Sequence, residues 1–273
     1  MLQEIRTQID PYSPSPYLDA LVLLSHITSQ PKSRLLAHPS PDLTPDQKNQ
    51  LKNALNKIKL GVPLPYIVGS WEFCQRSFIL TPDVLIPRPE TEWLVEKALG
   101  WFKEHPNKRT YLDLGTGSGC IAVTLARIIP DLKGIATDNS PAALLVAQKN
   151  AIRHQVAEQI FFIASDILNG FETIVDLLIS NLPYIPTEKL KTLPVYQTEP
   201  HQALDGGPDG LYYIKEALKE SPRILNPGGL ILLELDETRG KAALDLAQGY
   251  FPEADIRLKQ DLSGQDRYLT IQT

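Results

Sequence analysis

Two groups of residues in this chain of 273 have the types and spacing that chemistry needs. The first is a glycine turn. Gly115, Gly117 and Gly119 alternate with Thr116 and Ser118, Asp113 stands two residues upstream, and Asp138 follows 19 residues after the last glycine. Glycines let a backbone turn tightly and approach a ligand closely. A carboxylate at the end of the next strand is placed to accept both hydroxyls of a ribose, as in dinucleotide sites. Those sites want G-x-G-x-x-G, which would put a glycine where Cys120 stands. The G-x-G-x-G spacing suits a nucleoside without pyrophosphate. The turn can pack against an amino-acid tail, and nearby carboxylates favour a sulfonium and an ammonium. S-adenosylmethionine has all three parts. A nicotinamide cofactor and a turn that merely connects strand to helix are the alternatives.

The second group is Asn181, Leu182, Pro183 and Tyr184, directly after the apolar run at 175–180. An amide or exocyclic NH₂ is a poor nucleophile because its lone pair is delocalised. To be methylated, its nitrogen must face the methyl sulfonium in line, with both hydrogens held to one side. The Asn181 side-chain oxygen and the Leu182 backbone carbonyl can accept them. Pro183 stiffens the turn, and Tyr184 offers a flat face to a planar group. Such catalysis is positioning and electrostatics, without a strong base. Arg88 and Glu90 add a third pair, charges on a turn fixed by Pro87 and Pro89 and read as closing over the site.

These residues need a scaffold, and the apolar pattern describes one. Short apolar runs at 111–114, 134–137, 160–163, 176–180 and 230–235 alternate with helical stretches after residue 119, from 141 to 150, from 211 to 225 with a kink at Pro222, and from 238 to 249. Two further strands are predicted near 256–258 and 267–271, and residues 226–229 read as a turn. Alternating strand and helix imply an α/β fold, a mostly parallel sheet covered on both faces. The glycine turn and Asn181 then lie beyond carboxyl ends of strands, where such sheets bind ligands. Residues 1–60 read as helical: Leu18, Leu21, Leu24 and Ile27 recur at helical spacing, and Thr44 with Pro45 opens a helix that stops at Gly61. Tyr66, Ile67, Val68, Trp71, Phe73, Phe78 and Ile79 read as a hairpin with its turn at 75–77. Residues 184–210 lack periodicity, and a loop of that length is read as functional.

Composition narrows the class. The net charge is −5, with 27 basic and 32 acidic residues, which weighs against a chain held on nucleic acid by a bulk basic field. Two cysteines cannot build a disulfide framework, and the five histidines show no metal-ligand spacing, so no metal is expected. The start has no basic segment followed by an apolar one, and no apolar run is long enough to span a membrane. A cytoplasmic protein is expected.

The segments D-L-G-T-G-S-G-C-I-A from Asp113, D-N-S-P-A-A-L from Asp138 and S-N-L-P-Y-I-P from Ser180 resemble class I S-adenosylmethionine-dependent methyltransferases. Y-I-V-G-S-W-E-F from Tyr66, V-L-I-P-R-P-E-T-E ending at Glu92, and E-P-H-Q-A-L-D-G-G-P-D-G-L from Glu199 resemble the release-factor glutamine methyltransferase family. The resemblance covers residues 15–273, and I-P-R-P-E-T-E is its most specific part. It implies a seven-stranded, mostly parallel Rossmann-like sheet. A helical domain at 1–65 would dock the release factor, a β-hairpin linker would occupy 66–87, and the catalytic domain 88–273. It implies N5-methylation of the glutamine in the Gly-Gly-Gln loop of peptide-chain release factors. Residues 115–119 and Asp113 would cradle the methionine part of the cofactor, Asp138 the ribose, and Asp166 with Ile167 the adenine. Asn181 would touch both cofactor and substrate. Asn181, Leu182, Pro183 and Tyr184, with Arg88 and Glu90, would hold the glutamine. Two positions depart from the family pattern: Leu182 stands for a proline, and E-L-D-E-T-R from Glu234 carries Asp236 and Arg239 for a glycine and a glutamine. The competing readings are methylation of an adenine or cytosine amine in nucleic acid such as ribosomal RNA, which uses the same Asn-x-Pro-Tyr logic, and a nucleoside-binding module without catalysis. The partner expected is the release factor, with no nucleic acid or membrane, and the chain is expected to be a monomer.

Overall fold

The computed structural model describes residues 1–273 and divides into two compact units, Met1–Ser70 and Trp71–Thr273. The first is helical: α1 (Leu2–Ile9), α2 (Pro16–Thr28), α3 (Lys32–Ala37), α4 (Pro45–Lys59) and α5 (Leu64–Val68). Their apolar stripes meet in a core that includes Ile5, Ile9, Leu23, Leu24, Leu35 and Leu55. The start of α4 is a capping box. The Thr44 hydroxyl accepts the Gln47 N–H at 3.2 Å, and the Gln47 side chain accepts the Thr44 N–H at 3.0 Å.

Helix α5 corrects one expectation. Tyr66, Ile67 and Val68 read as strand but are helical. Pro65 stands in the first turn, where its fixed φ suits a helix, and Gly69 ends the helix at φ 72°. Ile67 and Val68 pack against the helical core, so packing overrides a weak β-propensity.

The second unit opens on the hairpin β1 (Ser70–Phe73) and β2 (Arg76–Ile79). Its turn is Cys74 and Gln75, both left-handed at φ 47° and 60°, the backbone a two-residue hairpin turn requires. There follow α6 (Glu92–Glu104), β3 (Thr110–Leu114), α7 (Cys120–Ile128), β4 (Lys133–Asp138), α8 (Pro141–Arg153), β5 (Ile160–Ala164), β6 (Val175–Ser180), α9 (Thr187–Leu190), α10 (Tyr212–Glu220), β7 (Leu225–Glu234), α11 (Gly240–Tyr250), β8 (Asp255–Gln260) and β9 (Asp266–Gln272). The sheet order is β5-β4-β3-β6-β7-β9-β8. All pairs are parallel except those of β9, which runs antiparallel to β7 and β8.

Side chains alternate between two apolar layers. Tyr111, Leu177 and Ile179 pack with Leu94, Ala122 and Val123 on one face. Leu112, Leu178 and Ile231 pack with Ile214, Leu218 and Ala243 on the other. Each fully buried aliphatic side chain of this kind contributes about 1.5–3 kcal/mol by leaving water. Every residue of β6 is buried, as a central strand covered on both faces requires. The chain leaves β3 towards β4 and β5, then returns to place β6 on the other side of β3. The switch point therefore lies between β3 and β6, beside residues 115–119 and 181–184.

Two further expectations change. The helix foreseen over 211–225 ends at Glu220, and a single tight turn, Ser221–Arg223, carries Pro222. Proline has no N–H for the helical ladder, so here it ends the helix rather than kinking it. The turn foreseen at 226–229 lies inside β7, where the pairing with β6 shifts register between Val175 and Leu177. No helix is long and apolar enough to cross a membrane.

Candidate active site

A cleft open to solvent lies at the carboxyl ends of β3, β4 and β6. Its wall includes Gly115, Thr116, Gly117 and Ser118 from the glycine turn and Asp138 from the end of β4. Asp166 and Ile167 line it after β5, Asn181, Leu182 and Pro183 after β6, and Arg88 from the proline-fixed turn. Ile167 has φ 55°, a strained conformation for a β-branched residue. The Ser165 hydroxyl donates to its carbonyl at 3.1 Å and holds the turn.

The glycine turn is anchored from both sides. Asp138 Oδ2 accepts the Gly117 N–H at 2.9 Å, and Oδ1 accepts the Ser140 N–H at 2.9 Å. Each oxygen keeps a lone pair free, so the carboxylate can still accept ribose hydroxyls. Burial raises its pKa above the usual carboxylate value. Gly117 sits at φ 54°, and a Cβ there would meet no atom within 4 Å. It borders open cleft space, as a turn that cradles a ligand should. Asn150 holds the far side: its amide donates to the Ser118 carbonyl at 2.8 Å and exchanges hydrogen bonds with the backbone of Ile79.

Four residues expected at the site stand outside the cleft wall. Asp113 is fully buried behind the turn, where Oδ2 accepts the Thr116 hydroxyl at 2.7 Å and the Ala122 N–H at 3.1 Å. Its Oδ1 has no partner, and burial lifts its pKa to about 7. It shapes the turn and supports the start of α7. Gly119 caps α7 at φ 78°, and a Cβ there would lie 3.0 Å from that of Ala147. Its reason is close packing of α7 on α8. Glu90 faces a different surface, with Trp93 and Leu262, and Arg88 pairs with Glu199 instead, Nη2 to Oε1 at 2.5 Å. Tyr184 is half-buried and packs against the apolar layer below the cleft. Its hydroxyl donates to Glu234 Oε1 at 3.2 Å, and burial pushes the phenol pKa up.

Sequence reasoning missed three residues. Glu199 is buried; it holds Arg88 and accepts the Ile86 N–H at 3.2 Å, so it straps the 184–210 loop to the proline-fixed turn. Thr91 donates to Glu234 Oε2 at 2.7 Å and accepts from Asn181 Nδ2 at 2.9 Å. Glu234, at the end of β7, is buried, which lifts its pKa to about 7. Thr91 and Glu199 lie in segments that sequence similarity had marked, but partners 111 and 143 residues apart leave no spacing signal. The loop itself is closely packed. A Cβ at Gly206 would lie 2.7 Å from Tyr184 Cα, and one at Gly210 would overlap the Tyr184 carbonyl. Asp236 has a structural use: it accepts the Thr238 N–H at 2.9 Å and pairs with Lys189 at 3.2 Å, tying β7 to the same loop.

Asn181 lines the cleft. Its Nδ2 is committed to Thr91, while neither its Oδ1 nor the Leu182 carbonyl accepts a hydrogen bond from the protein. Asn181 and Leu182 line the same cleft as the glycine turn. An open sheet with one antiparallel strand, a glycine turn and a carboxylate at the end of the next strand defines a class I methyltransferase. A methyltransferase from Pyrococcus furiosus has the same fold, with a TM-score of 0.54 at 16% identity, covering 84% of this chain and 98% of that one. Residues 1–69 match the family described as PrmC N-terminal domain, and residues 95–198 the Methyltransferase small domain. Release factor glutamine methyltransferases from Moorella thermoacetica and Cereibacter sphaeroides are each 40% identical over 254 residues, covering 92% of this chain and 89% of theirs. The chain belongs to the release factor glutamine methyltransferase family.

Proposed function

We propose that this chain transfers a methyl group from S-adenosylmethionine to N5 of the glutamine in the Gly-Gly-Gln loop of peptide-chain release factors, in the cytoplasm. The cleft fits the cofactor's parts. Gly117 borders open space for the methionine end, and Asp138 keeps lone pairs for the ribose. Asp166 and Ile167 line the same cleft and would meet the adenine. S-adenosylmethionine supplies the methyl group as an electrophilic carbon on a sulfonium.

The chain's own residues prepare the amide. Asn181 Oδ1 and the Leu182 carbonyl accept its two hydrogens and aim the nitrogen at the cofactor. Pro183 holds the turn rigid. Leu182 needs only its backbone oxygen for this, and its side chain covers Gly115, where a Cβ would lie 3.3 Å from Cδ2. The new N–C bond would form as the S–CH₃ bond breaks and its electron pair stays on sulfur as a neutral thioether. The alkylated nitrogen, now positively charged and strongly acidic, would give its extra proton to solvent water at the open cleft, so no strong base is needed. Tyr184 supports the turn from below. The helical unit 1–70 would dock the release factor, and Arg88 would meet it at the cleft mouth. The observation that carries the reading is the pair of unpaired acceptors, Asn181 Oδ1 and the Leu182 carbonyl, beside Asp138 and the glycine turn.

The experiment is incubation with labelled S-adenosylmethionine, a release factor and ribosomal RNA together. Label on the release-factor glutamine supports the reading, and label on RNA alone overturns it. A planar amine of adenine or cytosine would satisfy the same two acceptors, but the relatives named above favour the protein substrate.

A further inference from the structure

The Thr91 hydroxyl carries one hydrogen, and it is spent on Glu234 Oε2 at 2.7 Å. Towards Asn181 the oxygen can therefore only accept. The amide must present Nδ2 to it, at 2.9 Å, and Oδ1 must turn the other way. The Glu234 carboxylate sets this direction. In its ionised form it has no hydrogen of its own, so it accepts from Thr91 on one oxygen and from Tyr184 on the other. The relay Glu234–Thr91–Asn181 is thus polar in one sense, and its free end is the Asn181 oxygen in the cleft wall.

We propose that Thr91 is a positioning residue for methyl transfer: held as a donor by Glu234, its hydroxyl oxygen fixes the Asn181 amide so that Oδ1 accepts a hydrogen of the substrate NH₂. This rests on the amide-methylation reading above. Glutamine and asparagine amides rotate easily, and an Asn turned by half a revolution would offer an NH₂ to another NH₂. That arrangement repels the substrate nitrogen instead of aiming it. The relay removes this choice before the substrate arrives. Protonation of Glu234 would free its own hydrogen for Thr91 and allow the Thr91 hydrogen to turn towards Asn181, reversing the relay. The groups that act electrostatically on Glu234 are Tyr184, Tyr268, Glu90 and Arg267; among them Arg267 favours the charged form and Glu90 opposes it.

The test compares Thr91→Val, which keeps the shape and loses the hydroxyl, with Thr91→Ser, which keeps it. Methylation of a release factor is followed at saturating cofactor across pH 6–9. Thr91→Val is expected to lower kcat on the order of tenfold or more, the scale for an amide left without its anchor, with the release-factor KM and the calorimetric Kd for S-adenosylmethionine within about threefold. Thr91→Ser is expected to restore kcat to within a few-fold. The wild-type kcat should rise as the pH passes through about 7, where Glu234 ionises, and Thr91→Val should flatten that rise. An unchanged kcat in Thr91→Val, or a Thr91→Ser variant as impaired as Thr91→Val, overturns the proposal. Wild-type protein that leaves the glutamine unlabelled overturns the underlying reading instead. Unchanged cofactor binding in Thr91→Val shows that the fold is intact.

Discussion

Asp138→Ala puts the ribose assignment to a quantitative test. The carboxylate does two jobs in the structure. It accepts the Gly117 and Ser140 N–H groups, both at 2.9 Å, and its remaining lone pairs are free for two ribose hydroxyls. Hydrogen bonds to a charged acceptor contribute about 1.5 kcal/mol each or more. Two of them make about 3 kcal/mol, which is on the order of 100-fold in Kd at 1.4 kcal/mol per decade. The missing backbone anchors act on stability: at about 1 kcal/mol each, they lower Tm by about 4–8 °C for a domain of this size. The two jobs separate in a cycle. Calorimetry of wild type and variant with S-adenosylhomocysteine, and with an analogue lacking both ribose hydroxyls, gives four dissociation constants. The variant should weaken on the order of 100-fold with the normal nucleoside and only a few-fold with the analogue. Equal weakening with both ligands would mean that Asp138 acts through the turn alone, and the ribose assignment would be refuted.

Asn181→Ala should lower turnover by on the order of 10²-fold or more while the cofactor Kd changes little, the scale for removing one preorganised hydrogen-bonding group; unchanged turnover removes Asn181 from the mechanism. Glu199→Ala leaves Arg88 and the Ile86 N–H without their shared partner, so limited proteolysis should cut within 184–210 several times faster, and an unchanged cleavage rate would refute the strap. Glu234 gives a pH signature in stability. Its pKa rises from 4.5 to about 7 on folding, so the folded state holds a proton that the unfolded chain has already lost. Its stabilisation is full below about pH 4.5 and is lost as pH rises through about 7, by up to about 3 kcal/mol. The Tm of Glu234→Gln should therefore fall less than that of wild type between pH 5 and 8, and parallel Tm profiles would falsify the assignment.

The sequence determined whatever depends on neighbours along the chain. Alternating apolar strands and amphipathic helices require a layered α/β unit, because each strand must bury both faces. The glycine spacing, with Asp138 at the end of the following strand, and the Asn-x-Pro turn at 181–183 marked residues that line one cleft. Thr44 with Pro45 announced a helix start that the structure bears out, and the structure adds the reciprocal hydrogen bonds with Gln47. Strand propensity at 66–68 misled because β-branched residues only record how well a side chain suits a half-buried surface; Pro65, Gly69 and the helical core outweighed it. Tertiary structure alone decided what meets across distance. It put Arg88 on Glu199 and not on its neighbour Glu90, sent Tyr184 beneath the cleft to Glu234, and placed Asp113 behind the turn rather than in its wall. It also joined Thr91, Asn181 and Glu234, which come from three separate segments. Hydrogen bonds reach only about 3 Å, so residues about 50 to 140 positions apart in sequence can share one only after the sheet has closed, and no local pattern records the pairing.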